Sequence, residues 1–331
     1  MSHGAEVTDD DRLPGARAKG TLLQRLVSHL RHGTLPDRVR WRIEQYQLRR
    51  REAWWQTHRG EARSFLHEVQ PGVRMRLHLD SELCHLIYCR HFEATERRFV
   101  NAFLQAGDVF IDVGANIGLF TLIAARRVGE GGRVLAFEPS PRAFERLNDN
   151  VRTNHLRNVS CFRTALSDRV GEQALSQAGG GFDAWNSFGT TVVGEALASE
   201  PVPTTTWNAV VRQEGLAGAV TMMKIDVEGW ENRVLAGGSE SLSRPDAPVL
   251  QVEFTDAAAR SAGSSCRELY GMLESMGYRM FVFDPARRVL VADPIRESYP
   301  YANLIAAKEP GMVNARLLRT SSAEGSAPRA H

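Results

Sequence analysis

The sequence predicts an α/β fold: a mostly parallel twisted sheet with helices on both faces, an antiparallel C-terminal edge, and a helical extension before it. Three observations predict it. Five apolar strand-like runs (Val109–Val113, Arg133–Phe137, Val159–Ala165, Met222–Val227 and Val249–Phe254) are mostly separated by helical patterns at Ile117–Val128, Pro141–Thr153, Trp230–Ala236 and Cys266–Met276. Strands that alternate with helices pair in parallel and are covered on both faces. After Gly277 the strand patterns Tyr278–Asp284, Arg288–Val291 and Asn303–Ala307 follow one another without helices, which makes an antiparallel edge. Finally, 331 residues exceed one catalytic domain of roughly 200 and leave room for an appendage.

In chain order, residues 1–20 are polar with little to bury and are expected to be disordered. Residues 21–70 read as a basic helical extension. Leu22, Leu23, Leu26, Val27 and Leu30 form one apolar face, and Pro36 opens a second segment through Trp41, Ile43 and Tyr46, with helical character to about Leu66. Arg38, Arg40, Arg42, Arg49, Arg50 and Arg51 crowd this stretch, with Glu44 as the acid among them. Residues 71–106 form a lead-in: a turn at Pro71-Gly72, an alternating strand Val73–Leu79, and a helix over Glu93–Leu104. The catalytic domain is expected at 107–310. Ser176–Ser199, rich in Gly, Ala and Ser, predicts a long loop or lid, and 318–331 a disordered tail.

The composition, 43% apolar and 24% charged, supports a core of ordinary size. A net charge of +2 excludes a polyanion binder driven by overall charge. Cys84, Cys89, Cys161 and Cys266 lack zinc-type spacing, and a chain of this length does not require disulfides, so reduced thiols are expected. The N-terminus is acidic where a signal peptide would be basic, and no run nears about 18 apolar residues. These features predict a cytoplasmic chain without a transmembrane segment.

The most informative stretch is Val109-Phe-Ile-Asp112-Val-Gly114-Ala115-Asn116-Ile-Gly118. A strand ends in an acid and a glycine, and a helix begins within a few residues, the place where open α/β sheets bind ligands. A dinucleotide needs G-x-G-x-x-G to seat its pyrophosphate on the helix N-terminus. Here the spacing is G-x-x-x-G, which suits a ligand without pyrophosphate such as S-adenosyl-L-methionine. Asp112 would pair its ammonium, and backbone N–H groups near Asn116 and Gly118 its carboxylate. Glu138, 20 residues after Gly118, ends the second strand in Phe137-Glu138-Pro139-Ser140, and a carboxylate there accepts both ribose hydroxyls.

These motifs resemble the FkbM-type methyltransferase family. The resemblance rests on Phe110–Thr121 (FIDVGANIGLFT), Val134–Ser140 (VLAFEPS), Ala165–Asp168 (ALSD), Lys224–Glu231 (KIDVEGWE) and Val249–Phe254 (VLQVEF), over about residues 90–306. It implies a Rossmann-like class I methyltransferase fold, S-adenosyl-L-methionine as donor, and methylation of a hydroxyl on a sugar, glycan or secondary metabolite. The cofactor set is then Asp112, Gly114, Ala115, Asn116, Gly118, Glu138, Ser140, Ala165, Leu166 and Asp226. The N-terminal 70 residues and Ser176–Ser199 fall largely outside the resemblance and are where acceptor choice is expected.

The reaction site is expected at Lys224-Ile-Asp226-Val-Glu228, where alternation sends Lys224, Asp226 and Glu228 to one side. A buried lysine and two acids are expensive without a purpose, a salt-bridge cluster being the bland alternative. Asp226 or Glu228 would orient or deprotonate the acceptor, Lys224 would hold their charge, and Glu253 is a second candidate. His91 and Glu96, just before the sheet, are weaker candidates for closing over the cofactor. Asp226, Glu228 and Glu253 could converge on a hard cation, but no further ligand pattern supports one and no metal is expected. Two rivals remain: an RNA methyltransferase holding phosphates with the Arg38–Arg51 stretch, and a non-catalytic protein docking a membrane surface or partner through it. The loop Asp226-Val-Glu228-Gly229 departs from the N-P-P-Y pattern of base-amine methylation, so no nucleic-acid partner is expected.

Overall fold

The computed structural model describes residues 7–8, 37–89, 92–178 and 196–325. The chain divides into two compact units at Phe92/Glu93, whereas the sequence suggests breaks near residues 70 and 106. His91 lies outside the described residues, as do 9–36 and 179–195.

In the first unit, β1 (Val7–Thr8) pairs in parallel with β2 (Ser64–Gln70), and β2 pairs antiparallel with β3 (Val73–His78). Helix α1 (Asp37–His58) precedes them and α2 (Glu82–Tyr88) follows, N-capped by the Ser81 side chain. Residues 64–66 are therefore strand, not the end of a helix. Phe65 and His67 point inward while Ser64 and Leu66 are only half-buried, a period of two that outweighs the weak helical run before it. Two of the residues expected to be disordered, Val7 and Thr8, form a strand.

The second unit begins with α3 (Ala94–Phe103). Then come β4 (Val109–Val113), α4 (Leu119–Val128), β5 (Arg133–Phe137), α5 (Pro141–Thr153), β6 (Val159–Phe162), β7 (Ala165–Leu166), β8 (Gly171–Ala178) and β9 (Ala196–Thr205). After these are α6 (Trp207–Glu214), β10 (Met222–Ile225), α7 (Glu231–Gly237), α8 (Ser239–Leu242), β11 (Val249–Phe254), α9 (Asp256–Ser261) and α10 (Cys266–Ser275). The chain ends in β12 (Arg279–Asp284), β13 (Val289–Ala292), β14 (Ala302–Ala307) and α11 (Pro310–Gly325). Residues 318–325, expected to be a tail, thus continue a helix whose Val313 and Leu317 are buried.

The main sheet has strand order β13-β12-β14-β11-β10-β4-β5-β6. The five strands from β11 to β6 are parallel, and β14 runs antiparallel between β11 and β12. This is the Rossmann-like α/β fold with the antiparallel C-terminal edge that the sequence predicts. Chain order reverses between β4 and β10, and the crevice beyond their C-terminal ends is where open α/β sheets hold ligands.

The two faces of the sheet differ. Ile111, Val113, Met223, Ile225, Leu250 and Val252 join Trp207, Val210, Val234, Leu235, Leu269 and Leu273 in one apolar core. On the opposite face, Asp112, Lys224 and Gln251 stand in register on neighbouring strands, as do Glu253 and Asn303. Helix α4 covers this face, with the Phe120 ring 4.8 Å from Lys224 Nζ. Alternation thus places Asp112, Lys224, Gln251, Glu253 and Asn303 on one side.

Part of Ser176–Ser199 is sheet instead of loop. β8 and β9 form an antiparallel pair that includes Ser176 opposite Ser199, and β9 pairs with β7 only at Thr204 and Thr205. Pro201 and Pro203 fall before that pairing, where β9 has β8 on one side only and a missing N–H is tolerated. The stretch 179–195 lies outside the described residues.

Candidate active site

Several segments converge at the C-terminal edge of the parallel strands. The β4–α4 loop is built on alternating left-handed backbone: Gly114 at φ +80°, Asn116 at +47° and Gly118 at +95°. Gly114 is required twice over. Its conformation disfavours a side chain, and a Cβ there would lie 1.8 Å from the Asp226 carbonyl oxygen. The G-x-x-x-G spacing therefore lets the loop lie directly against the end of β10. Gly114 and Ala115 donate their N–H groups to Phe137 O, both at 3.0 Å, tying the loop to the end of β5.

Glu138 sits at that end, 6% exposed. One carboxylate oxygen accepts from Ser140 N at 2.9 Å and the other from Asn116 N at 2.8 Å. Burial pushes the carboxyl up to about 7, against the pull of those two N–H groups. Each oxygen keeps a further lone pair, so the group is held rigidly and can still accept two hydroxyls. The expected anchorage for a ligand carboxylate needs correction, however. Asn116 N is engaged by Glu138, and Gly118 N donates to Ala115 O at 2.9 Å. These two N–H groups close the loop instead.

Asp112 is 1% exposed; Thr121 Oγ1 donates to its Oδ2 at 2.6 Å, while Oδ1 has no partner among the described residues. Burial raises its pKa, opposed by Lys224 and by the Thr121 hydroxyl. Lys224, 3% exposed, donates to Asp226 Oδ2 at 2.5 Å. Burial works against the lysine charge, but Asp226, Glu93 and Asp112 together outweigh it and hold the ammonium well above its usual range.

Strand β10 ends at Ile225, so Asp226 and Glu228 belong to the turn beyond it, not to the strand. Glu228 takes φ +53°, and a Cβ on the following Gly229 would meet Ala258 O at 2.2 Å. The turn, not alternation, aims Glu228. Carboxylate oxygens of Asp226, Glu228 and Glu253 still come within 4.8 Å of one another. Burial, and then the Asp226 charge, raise Glu228 and Glu253 well above the ordinary carboxylate range. Glu253 Oε1 accepts from Thr255 Oγ1 at 3.0 Å, and its Oε2 has no partner among the described residues. Glu231 serves this turn by accepting from Val227 N and Gly229 N at 3.0 and 3.3 Å.

Three residues not singled out from the sequence complete the cluster. Glu93, the left-handed N-cap of α3, is 8% exposed. Its Oε1 accepts from Tyr301 Oη and Asn303 Nδ2, each at 3.2 Å, and its Oε2 has no partner among the described residues. Burial pushes it up to about 7, with Lys224 opposing and Asp226 and Glu96 reinforcing. Glu96 lies in the first turn of α3. Ala165 and Leu166 lie in β7, and Leu166 packs in the apolar core. The next residue, Ser167, accepts from Trp230 Nε1 at 3.1 Å, which brings the end of β7 beside the turn after β10. Ser140 is the N-cap position of α5, 3% exposed.

Residues 112–280 match a family profile described as the methyltransferase FkbM domain. The chain is 32% identical over 204 residues to the 31-O-demethyl-FK506 methyltransferase FkbM of Streptomyces tacrolimicus, covering 53% of this chain and 74% of that protein. It is 26% identical over 194 residues to the 2-O-methyltransferase NoeI of Sinorhizobium fredii, covering 54% and 76%. It is 27% identical over 151 residues to the hexuronic acid methyltransferase AglP of Haloferax volcanii, covering 45% and 57%. Among the described residues, no helix is long and apolar enough to cross a membrane.

Proposed function

This chain belongs to the FkbM methyltransferase family, and on that premise we propose that it is an S-adenosyl-L-methionine-dependent O-methyltransferase. We propose further that its acceptor is a hydroxyl of a sugar, glycan or secondary metabolite. One observation carries the reading. Three buried carboxylate oxygens at this edge of the sheet (Asp112 Oδ1, Glu93 Oε2 and Glu253 Oε2) lack partners among the described residues. Each unmet buried acceptor costs about 1–3 kcal/mol, so the arrangement fits a ligand rich in donors and positive charge.

Glu138 would accept the two ribose hydroxyls, because its carboxylate is fixed by two N–H groups with lone pairs to spare. Asp112 would hold the ammonium end, since its Oδ1 is buried and unpartnered. Gly114, Ala115, Asn116 and Gly118 shape the loop between these two acids, with Ser140, Ala165 and Leu166 at its margin. When bound, S-adenosyl-L-methionine supplies an electrophilic methyl group for in-line displacement by oxygen.

The chain's own residues handle the acceptor proton. Asp226 is held by Lys224 at 2.5 Å and stands beside Glu228 and Glu253. Asp226 orients the acceptor hydroxyl or takes its proton, with Glu228 as its neighbour in that role and Glu253 as a second acceptor. Lys224 prevents mutual repulsion from expelling the acids. Alignment lowers the barrier by up to roughly 7–11 kcal/mol and the base adds roughly 10²–10⁴-fold. The relatives whose printed names specify 2-O or 31-O methylation support an oxygen acceptor.

The test is transfer of labelled methyl from S-adenosyl-L-methionine to a panel of sugars, uronic acids and hydroxylated macrocycles. The reading expects label on an acceptor oxygen and loss of donor binding in Glu138→Ala. Label on nitrogen, or donor affinity unchanged in that variant, would overturn it.

A further inference from the structure

Within the first unit, three side chains of different chemistry meet. Glu52 lies on α1, His85 on α2, and Cys89 is the C-cap of α2. Glu52 Oε2 is 2.8 Å from His85 Nε2 and 3.3 Å from Cys89 Sγ. One oxygen, one nitrogen and one sulfur lie within 4.8 Å of one another. His85 and Cys89 are four residues apart on one helical face, so a single helix end supplies two of the groups.

The imidazole is held in one orientation. Its Nδ1 is 2.9 Å from Glu82 Oε1, and the Trp55 ring stacks on it with centroids 5.3 Å apart and planes 22° apart. Both ring nitrogens therefore donate to carboxylates, and with Nδ1–H held by Glu82 it is the Nε2 proton, now shared with Glu52, that an incoming ion would displace to take the Nε2 lone pair, as at metal-binding histidines. Cys89 is 1% exposed and the His85 side chain 14%, whereas the Glu52 side chain is 41% exposed. The sulfur and nitrogen are thus sheltered and the carboxylate opens to solvent, which provides an entry path.

We propose that Glu52 Oε2, His85 Nε2 and Cys89 Sγ form a binding site for a zinc-class divalent metal ion, with water in the fourth position. Thiolate and imidazole select borderline metals of this class over magnesium or calcium. Tetrahedral coordination at the usual bond lengths sets the ligand atoms about 3.3–3.7 Å apart. The 3.3 Å Cys89–Glu52 separation needs to open by about 0.2–0.4 Å and the 2.8 Å His85–Glu52 separation by about 0.5 Å. A bridge of hydrogen bonds from His85 to its two acids would need no sulfur. The convergence of Cys89 on the same oxygen distinguishes the site from such a bridge. Loading displaces the Cys89 thiol proton and the His85 Nε2 proton, both released to solvent, and the bound ion ties α1 to α2.

The test is titration of the full chain with cobalt(II) under a non-chelating reductant, read in the near-ultraviolet and visible. The site predicts a thiolate-to-cobalt charge-transfer band with tetrahedral bands, saturating at one equivalent and displaced by zinc. Cys89→Ser should remove the charge-transfer band. Glu82→Gln should keep it while weakening affinity about 10–100-fold. A folded chain with no charge-transfer band, or a band that survives Cys89→Ser, would overturn the proposal. Should Cys89→Ser fail to fold, Glu82→Gln decides: unchanged cobalt affinity would count against the site.

Discussion

Glu138 gives a quantitative handle on the cofactor reading. Burial holds its carboxyl at about 7, above the ordinary 4.5. If ribose hydroxyls donate to the ionised group, binding must expel its proton, and affinity falls as the solution is acidified through that range. The ionised fraction is about 0.9 at about pH 8 and about 0.03 at about pH 5.5, so affinity should drop about 30-fold, or about 2 kcal/mol. At about pH 6.5 binding should release about three-quarters of a proton, seen as different calorimetric heats in buffers of different ionisation enthalpy. S-adenosylhomocysteine is the suitable ligand because it does not turn over. Glu138→Gln keeps one carbonyl acceptor and cannot ionise, so its affinity should be lower at about pH 8 and nearly flat with pH. A flat profile in the unmodified protein would refute the reasoning. So would a slope that survives in Glu138→Gln, because the titrating group would then lie elsewhere.

Other expectations follow from the same geometry. Asp226→Asn should lower turnover about 10²–10⁴-fold while leaving donor affinity within about threefold, as read by single-turnover rates beside calorimetry. Gly114→Ala should cost at least about 3 kcal/mol in urea unfolding, because its Cβ would meet Asp226 O at 1.8 Å in a left-handed conformation. Glu93, Glu138 and Glu231 are each raised to about 7 in the folded chain, so the folded state binds protons more tightly than the unfolded. Their contribution is fully present below about pH 4.5 and lost by about pH 7–8, so stability without ligand should fall over that interval. Glu93→Gln should flatten the fall by up to about 3 kcal/mol, and stability that rises with pH there would contradict the assignment.

Much of this was readable in the sequence because strand ends carry their chemistry with them. Asp112 and Glu138 stand where apolar runs stop, and Lys224 shares a face with Asp112 through the period-two geometry of paired strands. Glu93, Tyr301 and Asn303 were not readable. Glu93 meets the other two across 208 and 210 residues of chain, and a left-handed glutamate N-cap carries no local signal. Asn303 becomes part of the site only through the register that sets it opposite Glu253. The engagement of the Asn116 and Gly118 N–H groups was hidden for the same reason, since it depends on how closely the loop folds on itself. Ser64–Gln70 and Gly171–Ala178 escaped as strands because cross-strand partners, not intrinsic propensity, decide them. The spacing of His85 and Cys89 is visible, but its third member lies 33 residues before His85 on another helix.

The most direct test of the central claim is calorimetric titration of the full chain with S-adenosyl-L-methionine, S-adenosylhomocysteine and NAD. The account predicts one site of micromolar affinity for both adenosyl ligands and no heat from NAD, in keeping with a G-x-x-x-G loop and a fixed ribose acid. No binding of either adenosyl ligand by the folded chain would contradict it and leave only the fold.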